Sequence, residues 1–261
     1  MSPARLTITA LGGLPEVPAG ADLAVLLLEA AAREGVGLRH DDVLVVAQKI
    51  VSKAEGRRVP LAEVVPSTRA RELASATGKD ARLVELVLRE SRSVLRVGRE
   101  VIVVEDLRGL VLANAGVDQS NLPDSAGETE ALLLPQDPDE SAQRLRAALR
   151  ARAGIECAVI IADSLGRAWR LGTTGHAIGA AGLPALVDLR GRPDRGGRSL
   201  RHTEIALADS LAAIGVLAMG EAGEGRPAAV IRGLEHLAAA ESSGERGARA
   251  LQRAREIDLF R

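Results

Sequence analysis

VIVVEDLRGLVLANAG, residues 101–116, holds two apolar runs, VIVVE (101–105) and GLVLANAG (109–116), with only DLR between them. So short a connection cannot carry a parallel crossover, so the runs are expected to pair as an antiparallel hairpin. On the N-terminal side, Asp80 opens a helix with Leu83, Leu86 and Val87 on one face, and Ser67 caps another that Gly78 closes. Before these, VLVVA (43–47) reads as a buried strand, and Leu23, Leu26, Leu27 and Ala30 behind Asp22 read as a helix over 23–33. On the C-terminal side, residues 122–138 are rich in Pro, Asp, Ser and Gly around LLL (132–134) and read as a surface excursion. Asp137-Pro138 starts a helix through about Arg152, CAVIIA (157–162) is a buried strand, and 172–200 reads as Gly-rich loop with a short strand. A helix over about 203–217, a strand PAAVIRG (227–233) and a charged tail over 241–261, expected to be helical, complete the chain. Hairpin neighbours with uneven helices favour α+β with antiparallel or mixed sheets over a doubly wound parallel sheet. Residues 1–240 show no repeat or linker, and their length permits one domain or two intimately associated lobes.

Composition narrows the function. The 46% hydrophobic and 26% charged fractions are those of an ordinary globule, and a net charge of −1 argues against a non-specific polyanion binder. Trp169 and Phe260 are the only aromatic residues, too few to stack single-stranded nucleic acid. A bound base is therefore expected to be held mainly by backbone, amide and aliphatic groups. Cys157 is the single cysteine, which excludes an intrachain disulfide and a thiolate metal cluster; it reads as a buried, inert thiol. No basic leader and no apolar stretch of roughly 20 residues is present, so a cytoplasmic protein without a membrane partner is expected.

Three acids follow apolar strands or tight turns: Asp118 in ANAGVDQSN, Asp163 in IIADS with Ser164 beside it, and Glu221 in MGEAGEGRP. Each has a purely structural reading, as an Asx turn, a turn cap and a solvated loop acid. Converged, they would form a set of hard oxygen donors suited to Mg²⁺ or Mn²⁺ and needing a cation to offset their repulsion. Three of the 34 basic residues are lysines, and two of these, Lys49 and Lys53, lie in QKIVSK (48–53). They read either as phosphate partners or as solvated strand-end lysines. No P-loop or Rossmann motif is present, and the four histidines show no metal-ligand spacing.

Five segments occur in one order: AQKIVSKAEGR (47–57), LVLRESRSVLRVG (86–98), ANAGVDQSN (113–121), IIADSLGRAWRLGTTGHAIGAAGL (160–183) and MGEAGEGRPAAVIRGL (219–234). Together they resemble the coenzyme F420-0:L-glutamate ligase family, over roughly residues 7–235. The resemblance implies a GTP-dependent amide ligase that adds L-glutamate to the deazaflavin precursor F420-0 through an acyl phosphate. It also implies two divalent cations, with room for a monovalent ion such as K⁺, and an intertwined homodimer of two-lobed α+β protomers. By motif, Asp118 and Asp163 would hold one metal, and Ser164 and Glu221 the second. Asp163 and Lys53 would act in catalysis. GTP would meet Leu14, Pro15, Glu16, Val17, Gln48, Lys53, Asn121 and the loop Met219, Gly220, Glu221, Ala222, Gly223, Glu224, Gly225 and Arg226. Many members of the family have Thr where this chain has Ser164, and some have Ser where it has Gln48. Arg167 and Arg170 are placed to neutralise an acidic substrate, or equally to pair with surface acids. The residues alone also admit a metal-dependent nucleotide phosphohydrolase, or a non-catalytic nucleotide or deazaflavin binding module.

Overall fold

The computed structural model of the chain describes residues 5–120, 129–234 and 247–258. Its centre is a five-stranded mixed sheet of β1 (Thr7–Leu11), β2 (Val43–Ala47), β8 (Ala158–Arg167), β9 (Arg170–Ala181) and β12 (Ala228–Arg232), in the order β1-β12-β2-β8-β9. Only β2 and β8 run parallel; every other neighbour is antiparallel. The fold is α+β with mixed sheets, as the hairpin pattern indicated.

The central stretches of the sheet, VLVVA (43–47), AVIIA (158–162) and AAVI (228–231), are apolar at every position because both faces are covered there. Leu44, Val46, Val159 and Ile161 pack against α1 (Leu23–Arg33) and α5 (Pro138–Ala153), while Val43, Val45 and Ile160 pack against α6 (Leu207–Met219). The α1 and α5 caps are those expected: Asp22 accepts from Val25 N and Asp137 from Glu140 N, with Pro138 in the first turn.

The crossover from β2 to β8 contains a second lobe. Here α3 (Thr68–Thr77) and α4 (Ala81–Arg89) pack on a sheet of β4 (Ser91–Gly98), β5 (Val101–Asp106) and β6 (Val111–Ala113). Val103, Val104 and Glu105 pair with Ala113, Leu112 and Val111, so the hairpin of 101–116 forms. Its second strand stops at Ala113, because Asn114, Ala115 and Gly116 turn away with φ of 53°, 53° and 68°. The lobe is tied inward by a buried network. Arg108 pairs with Asp106 (3.0 Å) and Glu90 (2.9 Å), Arg57 pairs with the same Glu90 (2.8 Å), and both arginines donate to the Leu134 carbonyl.

Several expectations are corrected. LLL (132–134) is buried rather than part of a surface excursion: β7 (Glu130–Leu132) pairs with β3 (Arg58–Pro60), and Leu132 and Leu134 are almost wholly enclosed. Of the Gly-rich span 172–200, residues 172–181 are not loop but most of β9, whereas the remainder is turns with one short strand, as expected. Gly175 and Gly179 are steric rather than conformational: a Cβ on Gly175 would lie 2.5 Å from the Ala212 carbonyl of α6, and one on Gly179 would strike Pro138 of α5. The following helix starts later than expected, at Leu207, after the short β10 (Leu186–Asp188) and β11 (Glu204–Ala206). QKIVSK is not a strand end but α2 (Gln48–Ala54). Over 247–258 the tail forms two 3-10 turns, Ala248–Leu251 and Arg255–Ile257, instead of an α-helix; it docks through Ala248 N to Asp139 Oδ1 (2.6 Å). Cys157 is buried as expected, and its thiol is pushed up to about 11 by burial and by the nearby Asp42. Among the described residues no helix is long and apolar enough to cross a membrane.

Candidate functional site

The parallel pair β2–β8 opens a cleft of about 560 Å³ beyond its carboxyl ends, where ligands commonly sit in sheets of this kind. Leu14, Pro15, Glu16 and Val17 line it from the segment after β1, and Gln48, Lys49 and Lys53 from α2. Asp118 follows the 114–116 turn, Asp163 and Ser164 lie on β8, and Met219 to Arg226 leave the end of α6. The structure thus brings together every predicted site residue it describes; Asn121 lies outside the described residues.

Asp163 and Ser164 were expected at a strand end, but β8 continues through Arg167. Successive strand residues face opposite sides, so the two side chains are presented to different faces of one sheet. Ser164 Oγ is 2.8 Å from both oxygens of Glu221, which hangs from the loop after α6. Asp163 lies within the fields of Lys49, Asp118 and Glu221. The ladder shifts register beside this point: Ile161 pairs with Gly179 and Ala162 with Ala177, leaving Ile178 as an extra residue in β9. Such a bulge re-aims neighbouring side chains. The Ala177 amide there is taken up by the Asp209 carboxylate of α6 at 2.9 Å.

The approach to Asp118 is strained. Ala115 is fully buried yet left-handed, which costs about 1–2 kcal/mol for a residue with a Cβ. The Asn114 side chain fixes the turn by accepting from Ile102 N (3.0 Å). Asp118 is then clamped by its own backbone, donating to Leu132 O (3.0 Å) and accepting from Leu132 N (2.7 Å).

Charge in the cleft is unevenly matched. Burial acts to raise the Asp118 carboxyl, but Lys49 Nζ at 2.7 Å and bonds from Ser120 hold it below the ordinary value. Asp163 has no such partner: burial pushes it up to about 6, the Ser164 amide and Lys49 oppose this, and the charges of Asp118 and Glu221 reinforce it. Lys49 also reaches Ser120 Oγ (2.6 Å). Sequence reading offered this lysine as a phosphate partner or a solvated strand-end residue and did not foresee its pairing with Asp118, because a strand-end reading hid its position one helical turn before Lys53 on α2. Lys53 is buried and pairs with Glu16 at 2.9 Å; Arg58 pairs with the same carboxylate. Gln48 lines the cleft but is 3% exposed, its side-chain oxygen accepting from Ser52 Oγ (2.9 Å). Arg167 and Arg170 lie outside the cleft, on the hairpin that β8 and β9 form beyond it.

Among the described residues, no three His, Cys, Asp or Glu side chains stand close enough to hold one metal ion. Asp118 and Asp163, and Ser164 with Glu221, are hard oxygen donors of the kind a dication takes, and each pair would need water and ligand oxygens to complete a shell. The chemistry of the set agrees with such a role, since burial, reinforced by the charges of Asp118 and Glu221, raises Asp163 and a cation would relieve it.

Fold and cleft define an α+β protein with an acidic, lysine-flanked pocket at the carboxyl ends of a parallel strand pair. The profile of F420-0:Gamma-glutamyl ligase matches residues 13–233. The chain is 45% identical to the coenzyme F420:L-glutamate ligase of Methanothermobacter thermautotrophicus, over 98% of this chain and 99% of that one. It is also 45% identical to the protein so named from Methanopyrus kandleri (96% and 100% covered) and 40% identical to that of Archaeoglobus fulgidus (98% and 97%). The protein belongs to the F420-0:gamma-glutamyl ligase family.

Proposed function

We propose that this protein joins L-glutamate by an amide bond to the deazaflavin acceptor F420-0, with GTP as co-substrate. The observation that carries the reading is the convergence of Asp118, Asp163, Ser164 and Glu221 from three separate segments on one cleft, in a chain that matches the ligases along its length. In this reading Asp118 with Asp163 and Ser164 with Glu221 hold two divalent cations, Mg²⁺ or Mn²⁺. When bound, these would supply positive charge to offset what accumulates on the phosphates during transfer. The acceptor carboxylate attacks the γ-phosphorus, GDP leaves, and an acyl phosphate forms; the glutamate amine then displaces inorganic phosphate and loses a proton. The chain's own parts prepare this. Lys53 and Lys49 place two cationic groups on one face of α2, beside the path of the phosphates. The glycine-rich loop 219–226 offers backbone N–H groups, with Gly220 and Gly225 at φ of 83° and 65° turning it around the ligand. A homodimer and a cytoplasmic location belong to the same reading.

Mass spectrometry of the product from purified protein, GTP, L-glutamate and F420-0 is the test. The expected result is an acceptor heavier by whole glutamyl units, formed only when all three substrates are present. Full-rate phosphate release from GTP alone would instead make the protein a phosphohydrolase, and tight binding without turnover a binding module.

A further inference from the structure

We propose that the tip of the β8–β9 hairpin, Trp169 flanked by Arg167 and Arg170, seats the deazaflavin ring of the acceptor; this rests on the ligase reading above. After Leu165 the strand pair leaves the body of the protein, and residues 166–173 are all exposed. Arg167 pairs with Arg170, so Ala168 and Trp169 close the turn. Trp169 has a φ of 65°, in the left-handed region that favours Gly or Asn, and it is 88% exposed. An indole held there costs backbone energy that no burial returns, so the fold gives no reason for it.

Charge points the same way. From Leu165 to Val187 the chain carries no acid. Arg167 reaches across the hairpin to the Gly172 carbonyl (3.1 Å), and Arg170 forms no ion pair among the described residues. The tip is therefore one aromatic plane between two guanidinium groups, a seat for a flat ring carried on an anionic arm. The chain offers little else for such a ring: it has one Trp, one Phe and no Tyr, and Phe260 lies outside the described residues. Reach is also suitable. Asp163 and Arg167 are four residues apart on one strand, about 13 Å at ~3.3 Å per residue. An acceptor whose carboxylate reacts beside Asp163 and whose ring sits at the far end of a long anionic arm spans this interval.

The single indole is its own reporter. Titrating the full-length protein with F420-0 is expected to quench Trp169 emission to saturation, whereas GDP or L-glutamate leaves it unchanged. Trp169→Gly suits the turn backbone and is expected to keep the melting temperature while raising the KM for F420-0 by about tenfold to a hundredfold. The KM for GTP should stay constant, and Trp169→Phe should recover most of the loss. An unchanged KM for F420-0 in Trp169→Gly would overturn the proposal. So would quenching by GDP, or emission that follows protein concentration and not F420-0, which would mean that a second copy covers the tip. If the wild-type protein forms no glutamylated product, the ligase reading fails by itself; quenching by F420-0 still decides whether the tip binds the ring.

Discussion

Asp163 concentrates the chemistry of the cleft and shows what holding it there costs. Its carboxyl lies near 6, above the ordinary aspartate value near 4, chiefly through burial. A carboxyl raised in the folded state contributes stability in acid and loses it as pH rises from about 4 through about 6. In cation-free protein, Asp163→Asn is therefore expected to melt several degrees higher than wild type at pH 7, with the gap closing toward pH 4; thermal melts with chelator across that range check this. The same substitution is expected to lower turnover by more than about a hundredfold, because a neutral amide is a poor ligand for a hard dication. For Lys53→Ala, loss of a charged phosphate partner predicts a KM for GTP higher by about tenfold or more, read from initial rates. Asp118, Asp163 and Glu221 were legible in the sequence as acids placed after apolar runs or within tight turns. Lys49 was not, since its partner Asp118 lies 69 positions away and only the fold joins them.

At the level of elements, β9 is where sequence reading failed, and its glycines explain the failure. Gly175 and Gly179 lie where α6 and α5 press on a strand, so residues that signal loop in a sequence signal close packing in the structure. Gly175→Ala is expected to cost about 1–3 kcal/mol in urea unfolding, because the added methyl meets the Ala212 backbone and Val216. Displacing α6 also moves Glu221 from Ser164, so turnover should fall by more than the stability loss explains; comparing rates at a temperature where the variant is fully folded checks this. The helices were read more faithfully. Asp22, Ser67, Asp80 and Asp137 each accept an amide of the helix they precede, a local pattern that needs no tertiary knowledge. The short strands β3, β7 and β11 went unread because each spans only three residues, too few to show a period.

Across the whole molecule, the second lobe sits within the crossover that joins the two parallel strands of the cleft, so its anchoring bears on the site. Arg108 binds Glu90, Asp106 and the carbonyls of Leu134 and Pro135, linking α4 and β5 to the segment that leads into α5. Arg108→Met would leave the buried Asp106 without its cation and Glu90 with Arg57 alone, and is expected to cost about 3–5 kcal/mol, measured by chemical denaturation. The α+β class was readable from one hairpin, and the family from motif order. The path by which residues far apart reach one cleft was not, because strand order is set by long-range pairing that no local pattern reports. The central claim is that Asp118 with Asp163, and Ser164 with Glu221, hold divalent cations against a nucleotide. Anomalous diffraction from crystals grown with Mn²⁺ and GDP tests it most directly. Two manganese peaks are expected, one shared by Asp118 and Asp163 and one at Ser164 and Glu221; a nucleotide in the cleft with no manganese at either pair would contradict it.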